Sequence, residues 1–229
     1  MLIKGLQKTT LLDFPGKVAC TVFTGGCNFR CPFCHNASLV TAPNSVDTIT
    51  EDTFFSFLSK RKGILDGVCI TGGEPMLMPD LEQFCARIKG MGFSVKLDTN
   101  GSFPERLQKM IENGLVDYVA MDIKNSLDAY AETCGLSEIP DGVEKSMDLL
   151  MNGSLPFEFR TTIVKELHSA QRIEALAKRI AGCDRYFLQL FTDSGDLLAE
   201  GMSAPTEDEA RAWLAVAQKH VPNAQLRGI

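Results

Sequence analysis

The sequence predicts an α/β protein built on a parallel sheet, and three observations lead there. Short runs rich in β-branched residues alternate with longer segments of helical period. The runs are nearly continuous in apolar residues, as parallel strands covered on both faces require. Polar and glycine-rich motifs recur at the same end of successive runs, where a parallel sheet gathers its functional groups.

Taken in order, strands are expected at 18–24 "VACTVFT", 67–71 "GVCIT", 94–98 "SVKLD", 117–123 "DYVAMDI", 157–164 "FEFRTTIV" and 186–191 "YFLQLF", with a short last strand near 224–227. Helices are expected between them. Over 80–91, Leu81, Phe84, Cys85 and Ile88 follow an i, i+3, i+4, i+7 spacing. Over 169–181 the stripe is Ile173, Leu176, Ala177 and Ile180. Thr206 to Glu209, "TEDE", has a capping-box pattern, with a hydroxyl at the N-cap and a carboxylate three residues on. Strand–helix alternation at this spacing implies right-handed crossovers. The roughly six units fall short of the eight that close a full barrel. An open partial barrel and a doubly wound open sheet both satisfy the pattern. The 229 residues suit a single domain, 1–229, with no repeat or long linker.

Composition narrows the function. Hydrophobic content is 45% and charged content 23%, and the net charge is −6. An acidic chain lacks the basic footprint of a nucleic-acid or membrane-surface binder, so neither partner is expected. No apolar run is long enough to span a bilayer. The start, "MLIKGLQKTT", lacks the apolar core of a secretory signal, and a cytoplasmic protein is expected. There, clustered cysteines more often bind metal or do redox chemistry than form structural disulfides.

Eight cysteines are present. Cys20, Cys69, Cys85, Cys134 and Cys183 are scattered and read as small buried hydrophobes. Cys134 falls in "AETCGL", which reads as a loop. Cys27, Cys31 and Cys34 cluster in "GGCNFRCPFCHN" with C-x3-C-x2-C spacing. Structural zinc asks for four ligands. His35 would complete the count, but adjacent Cys34 and His35 side chains diverge. A [4Fe–4S] cluster typically takes four thiolates. Three leave one iron open, and an open site usually means chemistry on a bound molecule. A metal-binding or electron-carrying module without catalysis is a third reading.

"CNFRCPFC" resembles the cysteine motif of the radical S-adenosylmethionine (SAM) enzymes, in which SAM's methionine moiety chelates the fourth iron. "GGEP" (72–75), after the next strand, agrees with that family in order. The resemblance implies a partial (β/α)6 barrel of radical SAM type. A closer likeness spans essentially the whole chain. "LQKTTLLDFPGKVACTVFTGGCNFRCPFCHN", "DTNG" (98–101) and "MDIK" (121–124) are similar to activating proteins of glycyl-radical enzymes. The nearest is the activator of anaerobic ribonucleoside-triphosphate reductase, and the next is that of pyruvate formate-lyase.

That resemblance implies a role for each motif residue. Cys27, Cys31 and Cys34 hold the cluster. Phe33 and His35 lie on the adenine side of SAM. Gly72 and Gly73 let the backbone approach the ligand. Glu74 accepts from the methionine amine. Asp98, Thr99, Asp122 and the Ala120 carbonyl hold a monovalent cation, as hard oxygens suit. Asp122 and Lys124 meet the ribose or carboxylate, the alternative being a salt bridge between them in the barrel mouth, and Arg160 either touches SAM or is structural. The implied chemistry starts with an electron from a donor such as flavodoxin or ferredoxin, which cleaves SAM to methionine and a 5′-deoxyadenosyl radical. That radical takes a hydrogen atom from the Cα of a glycine in the partner enzyme. No acid–base pair is expected, because the cofactor carries the hard step. Pyruvate formate-lyase activators have a histidine where Thr192 stands here, which disfavours that partner. No cysteine lies between His35 and Val68, so the ferredoxin-like insertion of some activators is missing. A radical SAM enzyme acting on a small molecule or peptide is the alternative.

Overall fold

The computed structural model describes residues 1–228. Its strands lie in one sheet in the order β1-β2-β3-β4-β5-β6-β7-β8, being Ile3–Thr10, Ala19–Thr24, Gly67–Gly72, Ser94–Thr99, Tyr118–Asp122, Phe157–Ile163, Tyr186–Leu190 and Gln225–Arg227. Strand order equal to chain order is what βα units with same-handed crossovers produce. The described residues fall into two compact units, one of Met1–Asn28, Ser38–Thr99 and Glu105–Ala120, the other of Phe29–Ala37, Asn100–Pro104 and the residues from Met121 onward, and β5 runs from the first into the second.

In the first unit, β2, β3 and β4 are parallel, with Thr24 opposite Gly72 and Ile70 opposite Leu97. Their buried faces read Ala19, Cys20, Val22, then Val68, Cys69, Ile70, then Val95 and Leu97. The helices here are α1 (Ala37–Thr41), α2 (Glu51–Ser59), α3 (Leu81–Gly90) and α4 (Pro104–Glu112). Thr50 caps α2 by accepting from the Thr53 amide at 3.2 Å. The stripe on α3 is buried as its spacing requires, with Leu81, Cys85 and Ile88 fully covered. Phe54, Phe55 and Phe84 pack ring on ring, with centroids 5.1 to 5.2 Å apart.

β1 was not expected from the sequence. It pairs antiparallel with β2, Leu6 opposite Val22. Gln7, Lys8 and Thr9 are exposed, so the strand has no continuous apolar run to betray it. An edge strand with a solvated, charged stretch is also protected from pairing with other chains.

In the second unit, β6, β7 and β8 are parallel, with Thr161 opposite Leu188 and Leu188 opposite Leu226. The helices are α5 (Leu127–Cys134), α6 (Gly142–Met151), α7 (Ala170–Arg179) and α8 (Glu207–Gln218). Ile173, Leu176, Ala177 and Ile180 are buried, as the stripe foretold. Ser169 caps α7 through the Arg172 amide at 3.3 Å. The capping box on α8 is present: the Glu209 amide donates to Thr206 Oγ1 at 3.2 Å and the Thr206 amide donates to Glu209 Oε2 at 2.8 Å. Helix α5 ends on Gly135, whose φ of 65° suits a residue without Cβ. Cys134 is the last residue of α5 rather than part of a loop, and it is fully buried. None of the described helices is long and apolar enough to cross a membrane.

Candidate functional site

In the first unit, the register of β2, β3 and β4 brings the ends of "VFT", "ITG" and "LDT" to one edge. The chain leaves β2 through Gly25 and Gly26 to reach Cys27, which is partly exposed. Two backbone bonds tie this exit to the end of β3. The Gly73 amide donates to the Thr24 carbonyl at 2.9 Å, and the Glu74 amide donates to the Gly26 carbonyl at 2.8 Å. The approach is so close that a Cβ on Gly73 would lie 1.9 Å from the Gly26 carbonyl oxygen. One on Gly72, at φ +115°, would lie 2.3 Å from the Thr24 amide nitrogen. Both glycines are therefore demanded by the packing of one motif against the other.

Glu74 is buried, and its Oε1 accepts from the Met76 amide at 3.0 Å and from Thr99 Oγ1 at 2.9 Å. It thus caps the short 3-10 turn Pro75–Leu77 and ties the "GGEP" turn to the end of β4. Asp98, nearly buried, is 2.7 Å from the ammonium of Lys96, which is only 1% exposed. The Cys69 thiol donates to the same oxygen, Asp98 Oδ1, at 3.7 Å. Sequence reasoning singled out Asp98 but not Lys96. The signal was there: residues two apart on a strand share a face.

In the second unit, Cys31 is buried, Phe33 is buried, Cys34 is partly exposed and His35 is exposed. The Cys34 amide donates to the Cys31 carbonyl at 3.0 Å, closing a tight turn. The segment after β7 holds this loop in place. The Ala199 amide donates to the Pro32 carbonyl at 3.0 Å, the Ala37 amide to the Asp196 carbonyl at 3.2 Å, and Ser194 Oγ to the His35 carbonyl at 3.1 Å.

At the end of β5, Asp122 takes Arg160 Nε on Oδ1 at 2.9 Å and Lys124 Nζ on Oδ2 at 3.1 Å. Burial would raise the Asp122 carboxyl, but the Arg160 and Lys124 charges overcome it and hold it well below the usual carboxylate range. Burial pulls the Lys124 ammonium the other way, yet Asp122 and Cys31 keep it charged. The group carries two cations and one anion at a strand end. His168 fixes the backbone here, with Nε2 2.9 Å from the Lys124 carbonyl.

The three sequence-predicted side chains Asp122, Lys124 and Arg160 are thus brought together, and the electrostatic reach of Lys124 includes Cys31 and Cys34. Cys134 lies close enough to bear on Cys31 and, with Lys124 and against burial, holds its thiol below the ordinary range. Burial pushes Cys34 up. Of these two, Cys31 is the one held toward the thiolate, the form that binds metal. Cys134 was not expected there; its contact with Cys31 is made across the fold, not along the chain. None of the eight cysteines is in a disulfide. Among the described residues, no three His, Cys, Asp or Glu side chains are set around a single metal ion. A four-iron cluster asks for something else, since each cysteine binds its own iron.

Comparison with known proteins points the same way. The pattern of the radical SAM superfamily matches residues 21–180. The chain is 34% identical over 238 residues to a Methanocaldococcus jannaschii protein that carries the name of a glycyl-radical enzyme activating enzyme, covering 100% of this chain and 96% of that one. It is 32% identical over 134 residues to the pyruvate formate-lyase-activating enzyme of Listeria monocytogenes, covering 53% of this chain and 52% of that enzyme. A solved domain of pyruvate-formate lyase-activating enzyme from Bacteroides vulgatus shares the fold, with a TM-score of 0.58 over 71% of this chain and 99% of that one, at 19% identity. With its three-cysteine loop, the superfamily pattern over residues 21–180 and a relative alike over its whole length, the chain belongs to the radical SAM superfamily.

Proposed function

We propose that the chain, as one radical SAM domain over residues 1–229, is the activating enzyme of a glycyl-radical enzyme, and that its partner is an anaerobic ribonucleoside-triphosphate reductase. Superfamily membership implies a [4Fe–4S] cluster and SAM. When bound and reduced by one electron, they supply a 5′-deoxyadenosyl radical for hydrogen abstraction from a glycine Cα. The observation that carries this reading is the C-x3-C-x2-C loop in a chain alike over its whole length to a protein named as a glycyl-radical enzyme activating enzyme. None of Cys27, Cys31 and Cys34 is in a disulfide and Lys124 lies near Cys31 and Cys34, so the donor set fits the cluster.

Cys27, Cys31 and Cys34 would hold the cluster, and the chain's other groups would bind and orient SAM. Glu74 offers a buried carboxylate for its amine, although Met76 and Thr99 already use one oxygen. Lys124 and Arg160 offer cations for its carboxylate, with Asp122 setting their geometry. Phe33 and His35 would flank the adenine. Gly72 and Gly73 serve this arrangement by locking the "GGEP" turn to the backbone just before Cys27. Asp98, Thr99, Asp122 and the Ala120 carbonyl are the candidate ligands of a monovalent cation. The Lys96 ammonium at 2.7 Å already gives Asp98 one positive charge, so we expect little dependence on added alkali ions. A primary carbon radical attacks nearly anything, and holding its target in place is the protein's main task. A flavodoxin or ferredoxin is the proposed electron donor, in the cytoplasm.

The test is anaerobic reconstitution with iron and sulfide, reduction with dithionite, addition of SAM and assay of 5′-deoxyadenosine. The wild type is expected to form it and Cys31→Ala to form none. A wild type that holds the cluster yet never cleaves SAM would overturn the reading.

A further inference from the structure

Helix α5 places Tyr130 and Cys134 four residues apart on one face, and both side chains are fully buried. That face packs on the cysteine loop just before and at Cys31. The Tyr130 ring stands edge-on to Phe29, with centroids 6.5 Å apart and planes at 83°. The Arg30 amide donates to the Cys134 carbonyl at 2.8 Å. A Cβ on Gly135 would lie 2.4 Å from the Arg30 carbonyl oxygen, so the two backbones touch. Cys134 lies close enough to Cys31 to bear on its thiol.

The Tyr130 hydroxyl is buried and makes no hydrogen bond among the described residues. The Lys124 amide lies near it but can only donate, so the phenolic proton has no acceptor. Burying a donor without an acceptor is costly, and native structures rarely do it without a reason. The Cys134 and Cys31 sulfurs and the Asp122 carboxylate are near enough to bear on this hydroxyl.

We propose that Tyr130 and Cys134 form a hydrogen-bonding shelf on α5 that donates to sulfur atoms on the Cys31 side of the iron–sulfur cluster and raises its reduction potential. This rests on the reading of Cys31 as a cluster ligand. One-electron reduction adds negative charge that is spread over the cluster sulfurs. O–H and S–H donors directed at those sulfurs stabilise the reduced form more than the oxidised one. The Lys124 charge acts in the same direction. Cys134 thereby serves as an outer-shell donor and not as a fourth cluster ligand, which leaves one iron open.

The experiment is a redox titration of the reconstituted full-length protein without SAM, following the reduced-cluster EPR signal. Tyr130→Phe removes one oxygen and keeps the ring. Its reduced fraction at a fixed potential near the wild-type midpoint is expected to fall severalfold, where a tenfold fall in the reduced-to-oxidised ratio corresponds to about 59 mV. Cys134→Ala is expected to shift the same way. Unchanged midpoints in both variants at full iron content would overturn the proposal while leaving the cluster assignment standing. If Tyr130→Phe assembles no cluster, Cys134→Ala decides alone. On the wild type, resonance Raman Fe–S(Cys) modes are expected to shift between H2O and D2O; the absence of any shift would also overturn it. A wild type that takes up no cluster would overturn this proposal together with the reading on which it rests.

Discussion

Gly73→Ala is the sharpest structural test of how the two motifs are joined. The added Cβ would lie 1.9 Å from the Gly26 carbonyl oxygen, 1.5 Å short of ordinary contact at 3.4 Å. The obstacle is backbone, which has no rotamer to escape into. Relief requires pulling the end of β3 away from residues 24–26, and that motion stretches the Gly73-to-Thr24 and Glu74-to-Gly26 hydrogen bonds of 2.9 and 2.8 Å. Two such bonds contribute about 2 kcal/mol, and overpacking adds roughly 1–3 kcal/mol. The expected loss is about 3–5 kcal/mol by urea denaturation. Because the displaced backbone leads directly to Cys27, iron uptake should fall as well. Gly90→Ala is the control: the site is open and lies at the end of α3, so its stability should match or slightly exceed the wild type. A Gly73→Ala protein within about 0.5 kcal/mol of the wild type, with full iron, would refute the reasoning.

Two further predictions concern buried charge. His168 is 5% exposed, and burial lowers its pKa from 6.5 against the opposing backbone bonds to Lys124 and Val164. Its folded pKa lies below the unfolded one, so its contribution is complete above pH 6.5 and is lost as pH falls through the depressed value. Urea midpoints against pH should fall on that limb, and His168→Gln should flatten it; identical limbs would contradict the assignment. Lys96→Met breaks a buried pair and should destabilise by roughly 3–5 kcal/mol. In that variant SAM affinity, measured by calorimetry, should become dependent on sodium or potassium. A wild type with an equally steep dependence would show that the ammonium does not serve there.

The strands β2 to β8 were legible to within a residue or two, because parallel strands covered on both faces write themselves as apolar runs. Strand β1 was not, since its exposed Gln7, Lys8 and Thr9 break the run. The stripes on α3 and α7 and the cap on α8 could be read from spacing alone. Helix α5 has only eight residues and ends in "CGL", which reads equally well as a turn. The motifs also marked Asp122, Lys124 and Arg160, whose meeting follows from their placing at strand ends. The partners of these residues were harder to see. Lys96 on Asp98 was available from two-residue periodicity. Tyr130 and Cys134 beside Cys31 depend on how α5 packs on a distant loop, and no local pattern encodes that.

The most direct test of the account is the appearance of a glycyl radical. The reconstituted protein, reduced and supplied with SAM under strict anaerobiosis, is mixed with an anaerobic ribonucleoside-triphosphate reductase and followed by EPR and by 5′-deoxyadenosine assay. The account predicts a glycine-centred doublet that grows in step with 5′-deoxyadenosine and is absent with Cys31→Ala. 5′-Deoxyadenosine formed at the same rate with and without the reductase, and no glycyl signal, would contradict it.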